Sequence, residues 1–284
     1  MYKELDVSVK EDLRNYFEDR DYMVISVPKN EPIRVYTLRA RQTLETAKRV
    51  HKPEGQSLEL LSYGLLSSLL LTSLVKHATS QKVLLKVSNK CGTLALEADG
   101  MGKCRGFIEG RPSECWDKGT LMVVKELRLG TPYTSIVPVV GRNMKEALSY
   151  YFEQSEQTRT YLDMGIKRGK DGTVYGSGYL IQVLSGTSPQ AIGAVENNLR
   201  RLTPEWVEMR PEELALQILE GMEPRLIGLK EVEYYCPCSE DVARSSLLLL
   251  EQEELEELLS EGPAEVVCKF CGRVYRFSKE QLML

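Results

Sequence analysis

The chain has 284 residues, 42% of them hydrophobic and 27% charged, which is globular usage and excludes a disordered tail protein. That length allows one large or two modest domains with real cores. A net charge of −4 and a pI of about 5.6 exclude a molecule that is basic all over, as a general nucleic-acid binder is.

Residues 1–30 read as an extension of mixed character, with helical spacing at Val9–Phe17. Its first residues carry acids throughout and no apolar run, so neither a signal peptide nor a transit peptide is expected. Ile33–Leu38 alternates as a strand does. Helices are predicted at Ala40–Arg49 and Leu58–His77, separated by Pro53 and Gly55. The most apolar stretch, Leu58–Val75, is interrupted by Glu59, Gly64 and four serines, and reads as a buried helix, not a membrane span. Four β-rich runs follow, at Val83–Val87, Thr93–Ala98, Cys104–Gly110 and Thr120–Leu129. The connections are short and contain glycine, which favours an antiparallel meander over βαβ units.

A helix returns at Asn143–Gln157, where Asn143 can cap, Glu146 stands three residues on, and Leu148, Tyr151 and Phe152 form one apolar face. Ile166–Leu184 reads as a hairpin turning at Asp171–Gly172. The first 185 residues thus form an α+β domain, an antiparallel sheet with packed helices. Residues 186–230 carry two amphipathic patterns and read as a helical linker. The first presents Ile192, Val195, Leu199 and Leu202; the second starts after Pro211 and presents Leu214, Ile218, Leu219 and Met222. Those faces must dock on something. From Glu231 to Leu284 twelve acids oppose five bases, a net of −7, which leaves +3 for the first 230 residues. Such asymmetry marks 231–284 as a separate small unit.

Seven cysteines complete the inventory, an odd number that fits a secreted disulfide framework poorly and a reduced intracellular chain well. Four lie in the last unit: Cys236-Pro-Cys238, then 29 residues, then Cys268-Lys-Phe-Cys271-Gly. Four thiolates in two close pairs suit a tetrahedral zinc ion, and the glycine suits the backbone of the second turn. A Cys-x-Cys pair can also oxidise, and its small ring keeps such a disulfide labile. Zinc would hold the thiolates deprotonated, nucleophilic toward peroxide, and would supply most of the folding energy of so small a unit. Between the pairs lie Ser245–Leu250 and a helix at Glu253–Leu259 with Leu255, Leu258 and Leu259 as its face. Glu251, Glu253, Glu254, Glu256, Glu257 and Glu261 crowd that helix, and their repulsion would help it melt once the metal leaves. Cys91, Cys104 and Cys115 are expected to be buried or incidental.

These residues resemble the redox-regulated heat-shock holdase chaperones, the thirty-three-kilodalton family, which ends in Cys-x-Cys, a gap near thirty, and Cys-x-x-Cys. Gly130–Val140, GTPYTSIVPVV, is similar to the family's EPYTG-VPLV segment. Ala147–Gln157, ALSYYFEQSEQ, resembles its LAHYFLQSEQ helix, and Gly178–Gln182, GYLIQ, its GGFLVQ strand. Stretches at Glu253–Leu259 and Glu265–Phe277 resemble those around the family's zinc site. The likeness runs from about Pro32 to Leu284 and leaves residues 1–30 without a counterpart. The linker matches only in pattern, and the stretch around Cys91, Cys104 and Cys115 departs from the family's glycine-rich one.

The resemblance implies a non-enzymatic, ATP-independent holdase of the cytoplasm, inactive while reduced and zinc-loaded, and the sequence holds no Walker-type phosphate loop. It implies that Cys236, Cys238, Cys268 and Cys271 hold one Zn²⁺, and that oxidation pairs Cys236 with Cys238 and Cys268 with Cys271 and releases it. The last unit and linker then unfold, and apolar surface on the first domain and linker, including the linker's apolar face, binds unfolding client proteins. It further implies a homodimer when active and hand-off of clients to the ATP-dependent seventy-kilodalton system, with no nucleic-acid or membrane partner. Two other readings compete with it. Lys269, Phe270, Arg273, Tyr275, Arg276, Phe277 and Lys279 mix bases with aromatics, as a zinc-ribbon nucleic-acid binder would, against the −7 of the whole unit. A zinc or thiol enzyme is disfavoured because four thiolates close the metal's shell and His51 and His77 are the only histidines.

Overall fold

The computed structural model describes residues 15–126 and 131–282. Contacts divide the chain into two units, Met1–Tyr234 and Tyr235–Leu284.

The larger unit is built from two sheets that share one helix. Strands β1 (Tyr22–Val27) and β2 (Ile33–Ala40) lead into helices α1 (Gln42–His51) and α2 (Gly55–Leu71). Then come β3 (Lys82–Asn89), β4 (Gly92–Asp99), β5 (Lys103–Gly110), β6 (Thr120–Lys125) and β7 (Tyr133–Pro138). Helix α3 (Met144–Tyr151) precedes the hairpin of β8 (Arg159–Arg168) and β9 (Val174–Val183). Helices α4 (Pro189–Arg200) and α5 (Pro211–Ile218) and strands β10 (Arg225–Glu231) and β11 (Glu233–Tyr234) close the unit. The five-stranded sheet has the order β10-β1-β2-β9-β8, antiparallel throughout. The six-stranded sheet has the order β11-β5-β4-β3-β6-β7, antiparallel except where β11 runs parallel to β5.

Alternation explains how the layers meet. In β3, Val83, Leu85 and Val87 point inward and are fully buried, while the residues between them are half-exposed. Strand β2 is buried on both faces. Tyr36, Leu38 and Ala40 join the main core with α2, whereas Ile33 and Val35 point the other way. Strand β9 does the same, with Leu180 toward α2 and Tyr179 and Ile181 opposite. Helix α2 is apolar nearly all round because it lies between the two sheets. Leu65, Leu66, Leu69 and Leu70 are buried, and Ser62, Ser67 and Ser68 return their hydroxyls to carbonyls of their own helix. At Gly64 an added Cβ would lie 2.7 Å from Leu96 Cδ1, so a side chain there would have to displace the buried Leu96 of β4. Gly55–Leu74 is long and apolar enough to cross a membrane, the one such helix among the described residues, and 72% of its apolar window is buried in this core.

Several expectations change here. Tyr22–Val27 belongs to no loose extension: it is paired on both sides, to β2 and β10. Asp21 just before it is buried and accepts backbone N–H bonds from Arg41 and Thr43 (both 2.6 Å), which satisfies amides at the start of α1. Residues 15–17 are helical, and the rest of the helix expected at Val9–Phe17 lies outside the described residues. The β8–β9 hairpin begins at Arg159, seven residues earlier than its alternation suggests. Strand β6 ends at Lys125, and residues 127–130 lie outside the described residues.

Residues 186–230 fold as part of the larger unit. Ser188 caps α4, its Oγ accepting from Ala191 N at 3.1 Å. Val195, Leu214, Ile218 and Leu219 are buried, and Leu199, Leu202 and Met222 half-buried, against Ile33, Val35, Tyr179 and Ile181 of the five-stranded sheet. Thr37 Oγ1 donates to Pro211 O and Ser177 Oγ to Val207 O, both at 2.7 Å, tying this layer down. Ile192 is half-exposed. Arg225–Glu231, expected to be linker up to residue 230 and the start of the small unit at 231, is a strand with Leu226, Ile227 and Leu229 exposed, and the larger unit runs on to Tyr234.

The smaller unit has helices α6 (Glu240–Leu247) and α7 (Gln252–Ser260), a hairpin of β12 (Ala264–Val267) and β13 (Val274–Phe277), and a final turn α8 (Lys279–Leu282). Among the described residues its core has six buried members, Ala243, Leu247, Leu255, Ala264, Phe277 and Leu282. Leu259 packs against them, but Leu258, expected on the same face, is exposed.

Candidate metal centre

The smaller unit brings its four cysteines together from two directions. Cys236 and Cys238 lie in the stretch before α6, whose start is fixed by Ser239, its Oγ accepting from Val242 N at 3.3 Å. Cys268 and Cys271 lie in the loop of the β12–β13 hairpin. The register Val267↔Val274 puts Cys268 opposite Arg273, and Cys268 N–H donates to Arg273 O at 2.9 Å. Cys271 N–H and Gly272 N–H both donate to Cys268 O, at 3.3 and 2.8 Å. Gly272 has φ +70°, the left-handed backbone that makes glycine the fitting residue after the second pair.

All four Sγ atoms lie within 4.8 Å of one another. Cys236 Sγ is 3.7 Å from Cys268 Sγ, and Cys238 Sγ is 3.2 Å from Cys271 Sγ. A tetrahedral ion with metal–sulfur distances of about 2.3 Å needs sulfurs roughly 3.8 Å apart, so the cluster can close on such an ion with small adjustments. Neighbours favour negative charge there. Tyr275 donates its hydroxyl to Cys238 Sγ at 3.2 Å, and Arg273 Nη1 donates to Cys238 O at 3.3 Å. Burial alone would raise the Cys238 thiol, but the hydrogen bonds from Tyr275 and the other thiols outweigh it and bring it down to about 7. Cys271 moves the other way, pushed up to about 12 by burial and by the neighbouring sulfurs. The cluster thus carries one readily formed thiolate and at least one proton that a metal must displace.

The acids of α7 are not equivalent. Glu253 and Glu254 occupy the first turn, where helix amides favour them. Glu257 and Glu261 stand at the other end, where carbonyls oppose them and the last turn carries no base.

Outside this cluster, Cys104 is buried in β5 and its thiol pushed up by desolvation, which makes it unreactive. Cys91 and Cys115, expected to be incidental, form a disulfide with Cα atoms 5.8 Å apart. His51 Nε2 lies 2.8 Å from the Tyr234 hydroxyl, and His77 is beside Lys230.

A family model described as Hsp33 protein matches residues 21–278, nearly the whole chain. The chain belongs to the Hsp33 family. It is 46% identical to the 33 kDa chaperonin of Aquifex aeolicus, with 98% of this chain and 93% of that protein covered. It is 26% identical to the 33 kDa chaperonin of Clostridioides difficile, over 93% and 98%. The crystal structure of the 33 kDa chaperonin, an Hsp33 homologue, from Thermotoga maritima superimposes with a TM-score of 0.81 at 25% identity, over 93% of this chain and 96% of that one. Membership makes this a protein of a chaperone family whose partners are unfolded proteins. The mixed helix-and-sheet architecture with a C-terminal four-cysteine cluster agrees with the expected α+β fold.

Arg273 and Tyr275 are the residues around the cluster that sequence reasoning assigned elsewhere, to a basic-aromatic run. Their positions two and four residues after Cys271 were the available signal.

Proposed function

We propose that this protein is a redox-controlled, ATP-independent holdase, held inactive by Zn²⁺ on Cys236, Cys238, Cys268 and Cys271. The observation that carries the reading is the convergence of four sulfurs within 4.8 Å in a unit whose core, among the described residues, has six buried members. A core that small leaves folding dependent on the metal. When bound, zinc keeps the thiolates deprotonated and ties the stretch before α6 to the β12–β13 loop. One peroxide takes two electrons from Cys236 and Cys238 and a second takes two from Cys268 and Cys271; in each case two thiolates, one hydrogen peroxide and two protons become one disulfide and two waters. The disulfides formed no longer hold the ion.

The smaller unit then unfolds, and the layer 186–230 loosens after it. Ile192, Val195, Leu199, Leu202, Leu214, Ile218, Leu219 and Met222 become available to clients, as does the sheet face they cover. Seven of the eight pack in the cluster against that face, which is what a concealed binding surface requires. The active form is a cytoplasmic homodimer that passes clients to the ATP-dependent seventy-kilodalton system.

The nucleic-acid reading draws little support. Phe277 is fully buried, Tyr275 is bonded to Cys238, and Arg276 pairs with Glu265 at 2.8 Å, so the aromatics and bases do not form an open stacking surface.

The test is an aggregation assay with a denatured client, run on reduced protein and on protein treated with peroxide at raised temperature, with released zinc measured in parallel. One zinc per chain should appear as aggregation is suppressed. Zinc release with undiminished aggregation refutes the holdase reading; suppression with zinc retained refutes the switch.

A further inference from the structure

A second pair of cysteines lies in the larger unit. The β3–β4 hairpin turns tightly, Asn89 pairing with Gly92, and Cys91 stands in the turn. The chain returns through β5, whose last residue Gly110 also pairs with Gly92, and enters the helical turn Pro112–Lys118 that contains Cys115. The two turns are clamped together without help from sulfur. Arg111 N–H donates to Cys91 O at 2.8 Å, and Cys91 N–H to Asn89 Oδ1 at 2.9 Å. Asn89 Nδ2 donates to both Pro112 O (2.7 Å) and Cys115 O (3.1 Å). At Gly92 a Cβ would meet Glu109 O at 2.2 Å, so the backbones touch as closely as glycine allows. This corner fixes the two Cα atoms at 5.8 Å, inside the span a disulfide bridges. Cys91 is half-buried and Cys115 is buried.

We propose that Cys91 and Cys115 are a second redox couple, independent of the four-cysteine cluster, whose disulfide staples this corner and keeps the larger unit folded in oxidising conditions. The more exposed Cys91 thiol attacks a peroxide, giving a sulfenic acid and one water. The Cys115 sulfur then attacks the Cys91 sulfur, and the second water leaves. Two thiols and one hydrogen peroxide thus become one disulfide and two waters, a two-electron oxidation. Holding both thiols in one corner replaces a chance encounter across 24 residues with a prearranged one, and the bond in turn restricts the unfolded chain. The couple goes beyond the holdase reading and stands or falls separately from it.

The experiment uses the full chain, reduced and then treated with hydrogen peroxide. Peptide mapping under non-reducing conditions should recover a linked Cys91–Cys115 peptide from the wild type and equally from Cys268→Ser, in which the cluster is broken. Oxidised wild type should melt roughly 5–10 °C above oxidised Cys91→Ser, while the two reduced proteins melt together. Recovery of Cys91 and Cys115 as thiols once the cluster is oxidised, or linked to other cysteines, overturns the couple. A linked pair with no difference in melting overturns the staple. Zinc release is read in the same samples and should be equal in wild type and Cys91→Ser, so failure of the holdase reading leaves this result intact.

Discussion

Phe277→Ala gives the sharpest test of metal-dependent folding. Phe277 is the one aromatic among the six buried residues of the smaller unit and is 0% exposed. The other buried members are three leucines and two alanines, with Leu259, Val266 and Tyr275 packed at the edge, so little apolar material is at hand to fill the space a lost ring leaves. Truncating a buried phenylalanine costs about 3–5 kcal/mol, and a unit this small draws only about 3–5 kcal/mol from its core. The substitution therefore removes the core's whole contribution and leaves the metal to fold the unit alone. Where folding and binding are one equilibrium, the loss is taken from the apparent zinc affinity, which should fall roughly 100- to 4,000-fold. Competition against a chromogenic chelator of known affinity measures this, with circular dichroism confirming that excess zinc restores the fold. A competition curve that coincides with the wild type would show that the sulfurs hold their ion without needing the core, and the coupling argument would fail.

Acidification should act on the same site. Cys238 titrates near 7 and Cys271 far above, so metal uptake at pH 6 should release about one more proton per chain than at pH 8, measured by titration calorimetry in buffers of different ionisation heat. In the larger unit Lys230 is only 8% exposed, its Nζ bonded to Thr72 Oγ1 at 2.7 Å, and burial pushes its pKa down to about 8, against the pull of Asp99. The unfolded chain therefore binds the extra proton between pH 8 and about 10.4, and stability should rise through that window by up to about 3 kcal/mol. Lys230→Met should flatten the rise without weakening the fold at pH 7; urea unfolding at pH 8 and pH 10 decides. Asp21→Ala leaves buried amides of Arg41 and Thr43 without their acceptor and should cost the larger unit about 2–3 kcal/mol by denaturant midpoint. No change would return Asp21 to the accessory extension that its sequence suggests.

What the sequence disclosed depended on whether the physics was local. The Cys-x-Cys and Cys-x-x-Cys-Gly spacings are properties of a few adjacent residues, and the four sulfurs meet as those spacings require. Val83, Leu85 and Val87 announce a half-buried strand because their neighbours are exposed. YMVISV carries no such rhythm: it is buried on both faces, so Tyr22–Val27 resembled neither a helix nor an alternating strand. RLIGLKE was masked by the helical patterns before it, and its three exposed apolar residues gave no clue to the pairing with β1. Leu258 satisfies the helical period of Leu255 and Leu259, yet the narrow core beneath α7 has room for only those two. Cys91 and Cys115 meet through a meander register and an asparagine side chain, which no spacing rule expresses.

The helix shared by the two sheets has a consequence for how stress propagates. The inner faces of the two sheets cannot part without stripping Leu65, Leu66, Leu69 and Leu70 of half their surroundings, so the core around this helix should open in one step. The layer 186–230, packed on the opposite face of the five-stranded sheet, can loosen separately. The smaller unit has its own modest core and should yield first on heating. Warmth and oxidant then converge on the same fifty residues. In the proposed switch the detector would be consumed while the two-sheet core that presents the binding surface stays folded, a division of labour set by where a single leucine-rich helix was placed.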